Sequence, residues 1–257
     1  MLILAPPSEG KAAGSRGRPL DLDQLSFPEL TETRVEVVDA LVDLSARAGA
    51  LDVLGVGAGV RDQVDRNVDL WSAPTLPASR LYTGVLYDAL DLASLDRSGK
   101  ARAARRLVVI SAAFGALRPN DKVPSYRLSM DVALPGVGKL AAAWRPSLDA
   151  VLPAVVGRGL VVDLRSSTYA AAWRPEGALA ERTVAVHVLR EQPDGTRSVV
   201  SHMAKHTRGI VARWLLETGV DPRTPEALAD ALAADFRVEL DGPREGKTRR
   251  LEIVEAA

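Results

Sequence analysis

Apolar residues along this chain gather in short branched runs, separated by longer alanine-rich stretches in which they recur at helical spacing. Leu2 to Ala5 reads as a buried strand, because apolar residues stand side by side there and Pro6-Pro7 stops them. Leu107 to Ile110 and Leu160 to Leu164 have the same character, and both give way to polar residues. Between the first two strands the period changes to that of a helix. Pro28 suits the first turn of a helix whose face carries Val35, Val38, Leu41, Val42 and Leu44, with Gly49 as its stop. Further helices are predicted near 84–93 and 138–151, and a long one from about Lys205 to Glu217 closed by Gly219. Two hairpins complete the pattern. Thr183–Leu189 and Arg197–Ser201 flank the turn Pro193-Asp194-Gly195, and Phe236–Leu240 and Arg250–Val254 flank Asp241-Gly242-Pro243. The pattern predicts an α/β fold: one domain over 1–257 with a mixed central sheet surrounded by helices.

Composition narrows the function classes. With 47% hydrophobic against 26% charged residues, the chain can fill a large core. It has no cysteine, which excludes disulfides, thiolate metal sites and a thiol nucleophile. The opening run Met1 to Ala5 is too short and not basic enough for a signal peptide, and no run approaches the roughly 18 apolar residues of a membrane span. A cytoplasmic location with no membrane partner is therefore expected. Lys plus Arg equals Asp plus Glu at 33 each, so nucleic-acid binding needs a local basic patch rather than a net field.

Five segments carry residue types suited to chemistry. Pro6 to Lys11 follows the first strand, where Ser8, backbone N–H groups and the Lys11 ammonium can hold a phosphate. Ala12 follows Lys11, so the P-loop spacing is absent and a plain surface turn accounts for the segment equally. Ser111 to Asp121 lies beyond the second strand, where open α/β sheets bind ligands, and Tyr126 and Arg127 come soon after. Its structural alternative is a turn in which Arg118 and Asp121 pair. Asp163 to Tyr169 ends the third strand, and its Ser166, Ser167 and Thr168 suit a helix cap or an anion site.

The fourth segment, Ser201 to Gly209, opens the long helix. Helical spacing puts Ile210, Val211 and Trp214 on the buried face and Lys205, Arg208 and Ala212 nearly opposite, as a solvated basic face or a ligand contact beside small Gly209. His202 and His206 have the spacing of paired metal ligands but no acidic third ligand nearby, so no metal and no cofactor is expected. The fifth segment fits a helix-hairpin-helix element near 50–68, with Gly55 and Gly57 in the hairpin and Arg61 on the second helix. Asp62, Asp65 and Asp69 offset its arginines, and an ordinary helix–helix turn is the alternative.

Taken in order, PPSEGK, LYTGVLYDAL, ISAAFGALRPNDKVPSYRLSMD, VVDLRSSTYAAAW and SHMAKHTRGIVARW resemble the successive signature blocks of the YaaA family, from residue 6 to residue 214. Residue by residue, the resemblance reaches Lys11 in the first loop; Tyr82, Thr83 and Gly84; and Gly115, Leu117, Arg118 and Pro119 with Asp121 after them. It continues through Tyr126, Arg127 and Leu128, then Ser166 and Tyr169, and ends with Lys205, Arg208 and Gly209. It implies a single unusual α/β domain with a basic cleft, binding of duplex or distorted DNA through a helix-hairpin-helix, and a part in limiting free iron under hydrogen peroxide stress. PPSEGK stands where other members have SPAKT, and His206 stands where some have lysine, which points to an actinobacterial-like subgroup.

Two classes of function follow. The primary expectation is a DNA-binding protein without sequence preference, whose phosphate contacts are Ser8, Lys11, Gly55, Gly57, Arg61, Arg118, Arg127, Lys205 and Arg208. The alternative is an enzyme acting on a small anionic or nucleotide-like substrate in the same cleft, with Lys11, Tyr82, Asp121, Tyr126, Ser166, Tyr169 and Lys205 as catalytic candidates. In both, the strand-end segments and the Lys205 helix are expected to converge, bringing Arg118, Arg127 and Lys205 to one cleft.

Overall fold

Short strands buried on both faces belong inside a parallel sheet, and β1 (Leu2–Ala5) lies there. The computed structural model describes residues 1–256. β1 pairs in parallel with β2 (Leu107–Ser111), whose antiparallel partner β3 (Gly115–Leu117) closes that edge. On its other side β1 pairs in parallel with β4 (Val161–Asp163), and β4 with β5 (Thr183–Glu191). A short β6 (Arg197–Ser198) turns back on the end of β5, while β7 (Val238–Leu240) and β8 (Arg249–Ala256) form the far edge. The eight strands give the order β7-β8-β5-β4-β1-β2-β3, with β6 beside β5.

The second predicted hairpin forms, with Val238 opposite Ile253, but β8 also runs parallel to β5 from Arg249↔Val184 to Ala256↔Glu191. That pairing buries Leu251 and Ile253 and makes the hairpin part of the main sheet. The first hairpin is shorter than expected, with only Arg197↔Glu191 and Ser198↔Arg190 paired. It stops because the long helix begins at Ser201, four residues ahead of the predicted start.

The helices longer than five residues are α1 (Thr31–Ser45), α2 (Val85–Leu90), α3 (Arg97–Arg106), α4 (Leu140–Val156), α5 (Ser201–Thr218) and α6 (Pro225–Leu232). α1 is led in by a 3₁₀ turn over Pro28–Leu30, as the proline predicts. α2 stops at Leu90 because Asp91 adopts a left-handed φ of 38°. Arg102 and Arg106 of α3 donate to the carbonyls of Leu216 and Val220, and the Met1 amine lies 3.0 Å from Asp221. These contacts fix the C-terminal end of α5 at the amino end of β1 and β2. Its N-terminal turn therefore stands at the carboxyl end of the sheet.

α5 buries more of its circumference than its sequence indicates. Ala204, Thr207, Val211, Ala212, Leu215 and Leu216 are covered, whereas Ile210, expected inside, is 36% exposed. The reason is packing on two sides, against β5 and against α2. Gly209 makes the second contact possible, since a Cβ there would stand 2.2 Å from the Leu86 carbonyl oxygen. Its smallness serves helix packing rather than a ligand. Gly209→Ala is expected to destabilise the protein by about 1–3 kcal/mol through overpacking, read as a lowered midpoint in urea unfolding.

Candidate functional site at the carboxyl end of the sheet

Beyond β1 the chain turns through Pro6 and Pro7 and comes back as a single antiparallel bridge between Lys11 and Tyr82. The Ala12 N–H donates to the Leu81 carbonyl at 2.8 Å and the Thr83 N–H to the Gly10 carbonyl at 3.1 Å, so loop and bridge are fixed on both sides. The Tyr87 hydroxyl donates to the Pro6 carbonyl at 2.7 Å and anchors the turn to α2. The Lys11 Nζ donates to the Ser8 carbonyl at 2.7 Å and lies 4.2 Å from the Tyr126 ring centroid and 5.7 Å from that of Tyr82. Ser8 itself is half-buried on the loop.

A chain of hydroxyls runs back from this lysine into the core. Tyr82 Oη is 3.1 Å from Tyr126 Oη, which is 2.7 Å from Ser111 Oγ at the end of β2. Ser111 Oγ accepts from the Ala113 and Phe114 N–H groups at 3.2 and 3.1 Å. With both lone pairs engaged, its own proton points to Tyr126.

The nearest carboxylate, Glu9, is held by Arg127 at 2.8 Å rather than by Lys11. Asn67 fixes the backbone of Arg127, accepting its N–H at 2.8 Å and donating to its carbonyl at 3.0 Å. Although Lys11 as a residue is partly accessible, its nitrogen sits among rings and backbone. Burial therefore pulls its pKa down to about 7, with Glu9 opposing and Arg127 adding to the shift. Burial pushes Tyr82 up to about 12 and raises Tyr126 and Tyr169 as well, so these phenols keep their protons. An amine that gives up its proton near neutrality beside protonated phenols can act as base or nucleophile with a proton path behind it.

Other predicted residues sort by position. Tyr169 is buried, and its phenol is raised chiefly by that burial and next by the Glu9 charge. Ser166 precedes the short helix Ser167–Ala170 and makes no side-chain cap bond, so the expected capping is absent. Lys205 is exposed one turn before Gly209 on the same helix face. Since α2 and α5 run side by side, with Leu86 at Gly209 and the Leu90 carbonyl at Arg213, that face leads to the Tyr82–Gly84 edge of the site.

Arg208, read as a phosphate contact, instead donates from Nε and Nη2 to the Val186 carbonyl at 3.2 and 3.1 Å. It fastens α5 to β5. Arg118 and Asp121 also depart from expectation. β3 runs antiparallel to β2, which carries Arg118 to the amino end of the sheet, where its Nη1 donates to the Arg105 carbonyl at 2.6 Å. The predicted convergence of Arg118 with Arg127 and Lys205 is thus corrected. Asp121 accepts from the Ser26 N–H and hydroxyl at 3.0 and 2.8 Å and from the Arg118 N–H at 2.7 Å, a structural knot rather than a free catalytic carboxylate. Buried Arg34 completes that knot, donating to the carbonyls of Ser26, Phe114 and Ala116.

The segment 50–68 forms a short helix over Ala50–Val53, a turn, and a second helix over Arg61–Asp65. Gly55 takes the left-handed φ of 64° that the turn needs, whereas Gly57 is extended at φ −79°. Arg61 is exposed. Gly55 and Val56 line, together with Glu9, Arg127 and Ser129, one cavity of about 300 Å³. The hairpin therefore borders the lysine site, a proximity with no signal in the sequence. Equally unannounced were the roles of Glu9 and Asn67. Among the described residues no three His, Asp or Glu side chains gather as metal ligands, and His202 and His206 are both exposed.

The family model for peroxide stress protein YaaA matches residues 1–241. The chain belongs to this YaaA family. A UPF0246 protein of Streptomyces coelicolor is 51% identical, covering 96% of this chain and 95% of its own. UPF0246 proteins of Corynebacterium efficiens and Corynebacterium glutamicum are 41% and 40% identical, covering 99% and 98% of this chain and the whole of their own. These YaaA relatives are actinobacterial, as the PPSEGK form of the first loop indicated. No helix of this YaaA family member is long and apolar enough to cross a membrane, among the described residues.

Proposed function

We propose that this YaaA family member serves the peroxide-stress response as an enzyme acting on a small anionic or nucleotide-like substrate at the carboxyl end of its parallel sheet. The observation that carries this reading is the Lys11 amine, which has no carboxylate partner and stands at the head of the Tyr82–Tyr126–Ser111 hydroxyl chain. Lys11 would be the base or nucleophile, the phenols would pass the proton, and Lys205 and Arg127 would face the substrate's negative charge. Amine acylation tests it. With acetic anhydride near neutral pH, Lys11 is expected to react well ahead of exposed Lys205 and Lys247, and millimolar phosphate or a nucleoside monophosphate to protect it. Lys11 labelling no faster than the exposed lysines, with no protection, would sink the proposal.

A second reading is DNA binding without sequence preference, favoured by the Gly55 hairpin standing on the rim of the same cavity as Glu9 and Arg127. Duplex affinity is then expected to fall steeply between about 50 and 200 mM salt. A Cβ at Gly57 meets nothing within 4 Å, so Gly57→Val should fold normally while screening the hairpin N–H groups from a phosphate. Fluorescence anisotropy giving equal duplex affinity for Gly57→Val and the parent protein would remove the hairpin from DNA contact.

A further inference from the structure

A larger cavity, about 820 Å³, lies along the antiparallel ribbon of Thr75–Pro77 and Lys122–Pro124, with Arg16, Arg18, Arg80 and Lys122 in its lining. Some arginines elsewhere fasten to carboxylates, as Arg127 to Glu9, Arg197 to Glu239 and Arg249 to Glu226. None of these four cations makes an ion pair among the described residues. The lining holds one carboxylate, Asp21, whose Oδ1 accepts from the Asp23 N–H at 3.2 Å. In a chain with no net charge, this is a local concentration of positive potential.

The backbone beneath the cations is fixed although their tips are free. The Arg18 carbonyl accepts from the Thr75 N–H at 3.1 Å and from the Thr75 hydroxyl at 2.9 Å. Lys122 is in register with Pro77. The turn bearing Arg80 is tied down by the Ala78 N–H on the Asp121 carbonyl at 2.8 Å and the Ser79 N–H on the Pro119 carbonyl at 2.9 Å. Cations from three separate stretches of chain are thus directed at one volume, and their mutual repulsion falls only when an anion enters. One phosphate does not match several spaced cations, whereas a run of linked phosphates does. Leu76 and Pro77 add an apolar wall on which a base can lie.

We infer that this cavity is a binding site for linked phosphates, separate from the Lys11 cleft, with a nucleoside triphosphate as its expected ligand. Titration calorimetry at low salt with inorganic tripolyphosphate, ATP and a short oligothymidylate tests the site and identifies the source of the phosphates. One-to-one binding of tripolyphosphate and ATP at this cavity is expected, set apart from weaker occupancy of the Lys11 cleft by its persistence in Lys11→Met, and weakened at least tenfold in the Arg80→Ala/Lys122→Ala double variant. Lys11→Met should leave that binding unchanged. So should Arg244→Ala/Lys247→Ala, which removes the same charge from a distant exposed turn. Binding of the oligothymidylate with the same dependence on Arg80 and Lys122 would also support the site and assign its phosphates to a nucleic-acid strand. The inference is overturned if none of the three binds at millimolar concentration, or if the distant double variant weakens binding as much as Arg80→Ala/Lys122→Ala does. Arg80, Lys122, Arg244 and Lys247 are exposed, so unchanged thermal midpoints would show that the two double variants remain folded, and a midpoint no lower than the parent's would show it for Lys11→Met.

Discussion

Asp163→Ala is expected to lose about 3–5 kcal/mol of stability, because it strands a buried guanidinium. Arg165 meets Asp163 as a fork, Nε to Oδ1 at 2.8 Å and Nη2 to Oδ2 at 2.7 Å, with both side chains nearly covered. The same guanidinium donates to the Trp173 carbonyl at 2.9 Å and lies 5.7 Å from the Trp173 ring. Removing the carboxylate leaves the Trp173 carbonyl, with that of Tyr169 at 3.4 Å, to balance a full charge without water. Arg165→Met alone should also be destabilising, but the double variant Asp163→Leu/Arg165→Met should recover much of the loss, since apolar replacement removes both desolvation penalties. Urea unfolding of the three variants gives the coupling directly. A loss below about 1 kcal/mol for Asp163→Ala would mean that water reaches the pair, contrary to its burial.

That pair also marks where sequence reading reaches its limit. β1, β2 and β4 were legible because branched apolar runs bounded by proline or polar residues have few other uses, and the carboxyl-end rule then located Lys11, Tyr126 and Tyr169. Direction along a strand was not legible. Arg118 follows Ser111 closely in the chain, but the tight return into β3 carries it to the opposite end of the sheet. Burial of charge was equally hidden. In α1 the spacing favours Val35, which is 38% exposed, while Arg34 is fully buried with Nε and Nη2 donating to three backbone carbonyls and Nη1 without a partner. Periodicity counts apolar residues and cannot register a carbonyl from a distant strand end. The adjacency of the Gly55 hairpin to Glu9 depends on Asn67 bonding to Arg127, a contact across sixty positions that neither segment announces alone.

Lys11→Met is expected to stabilise the protein while abolishing the small-anion chemistry proposed above, and the pH at which each effect changes tests the lysine's environment. In the fold the Lys11 pKa is about 7 against an ordinary 10.5, lowered chiefly by burial. Below about pH 7 both folded and unfolded chains carry the ammonium, so the fold bears the whole penalty of burying it. Between about 7 and 10.5 the folded chain releases its proton first, and stability rises with pH relative to a protein lacking the group. Lys11→Met removes that penalty. It should gain about 2–4 kcal/mol near pH 6, less than the full shift implies because the residue is partly accessible, and the gain should shrink steadily toward pH 10. An anion beside Lys11 reverses the balance by holding the ammonium, so binding near pH 8.5 must take up a proton and weaken as pH rises. Calorimetry of phosphate binding in two buffers of different ionisation enthalpy would show uptake approaching one proton in the parent protein and none in any residual binding by Lys11→Met. A variant no more stable than the parent at pH 6, with no proton uptake on binding, would mean that the Lys11 nitrogen is fully hydrated, and the amine chemistry assigned to it would fall with that result.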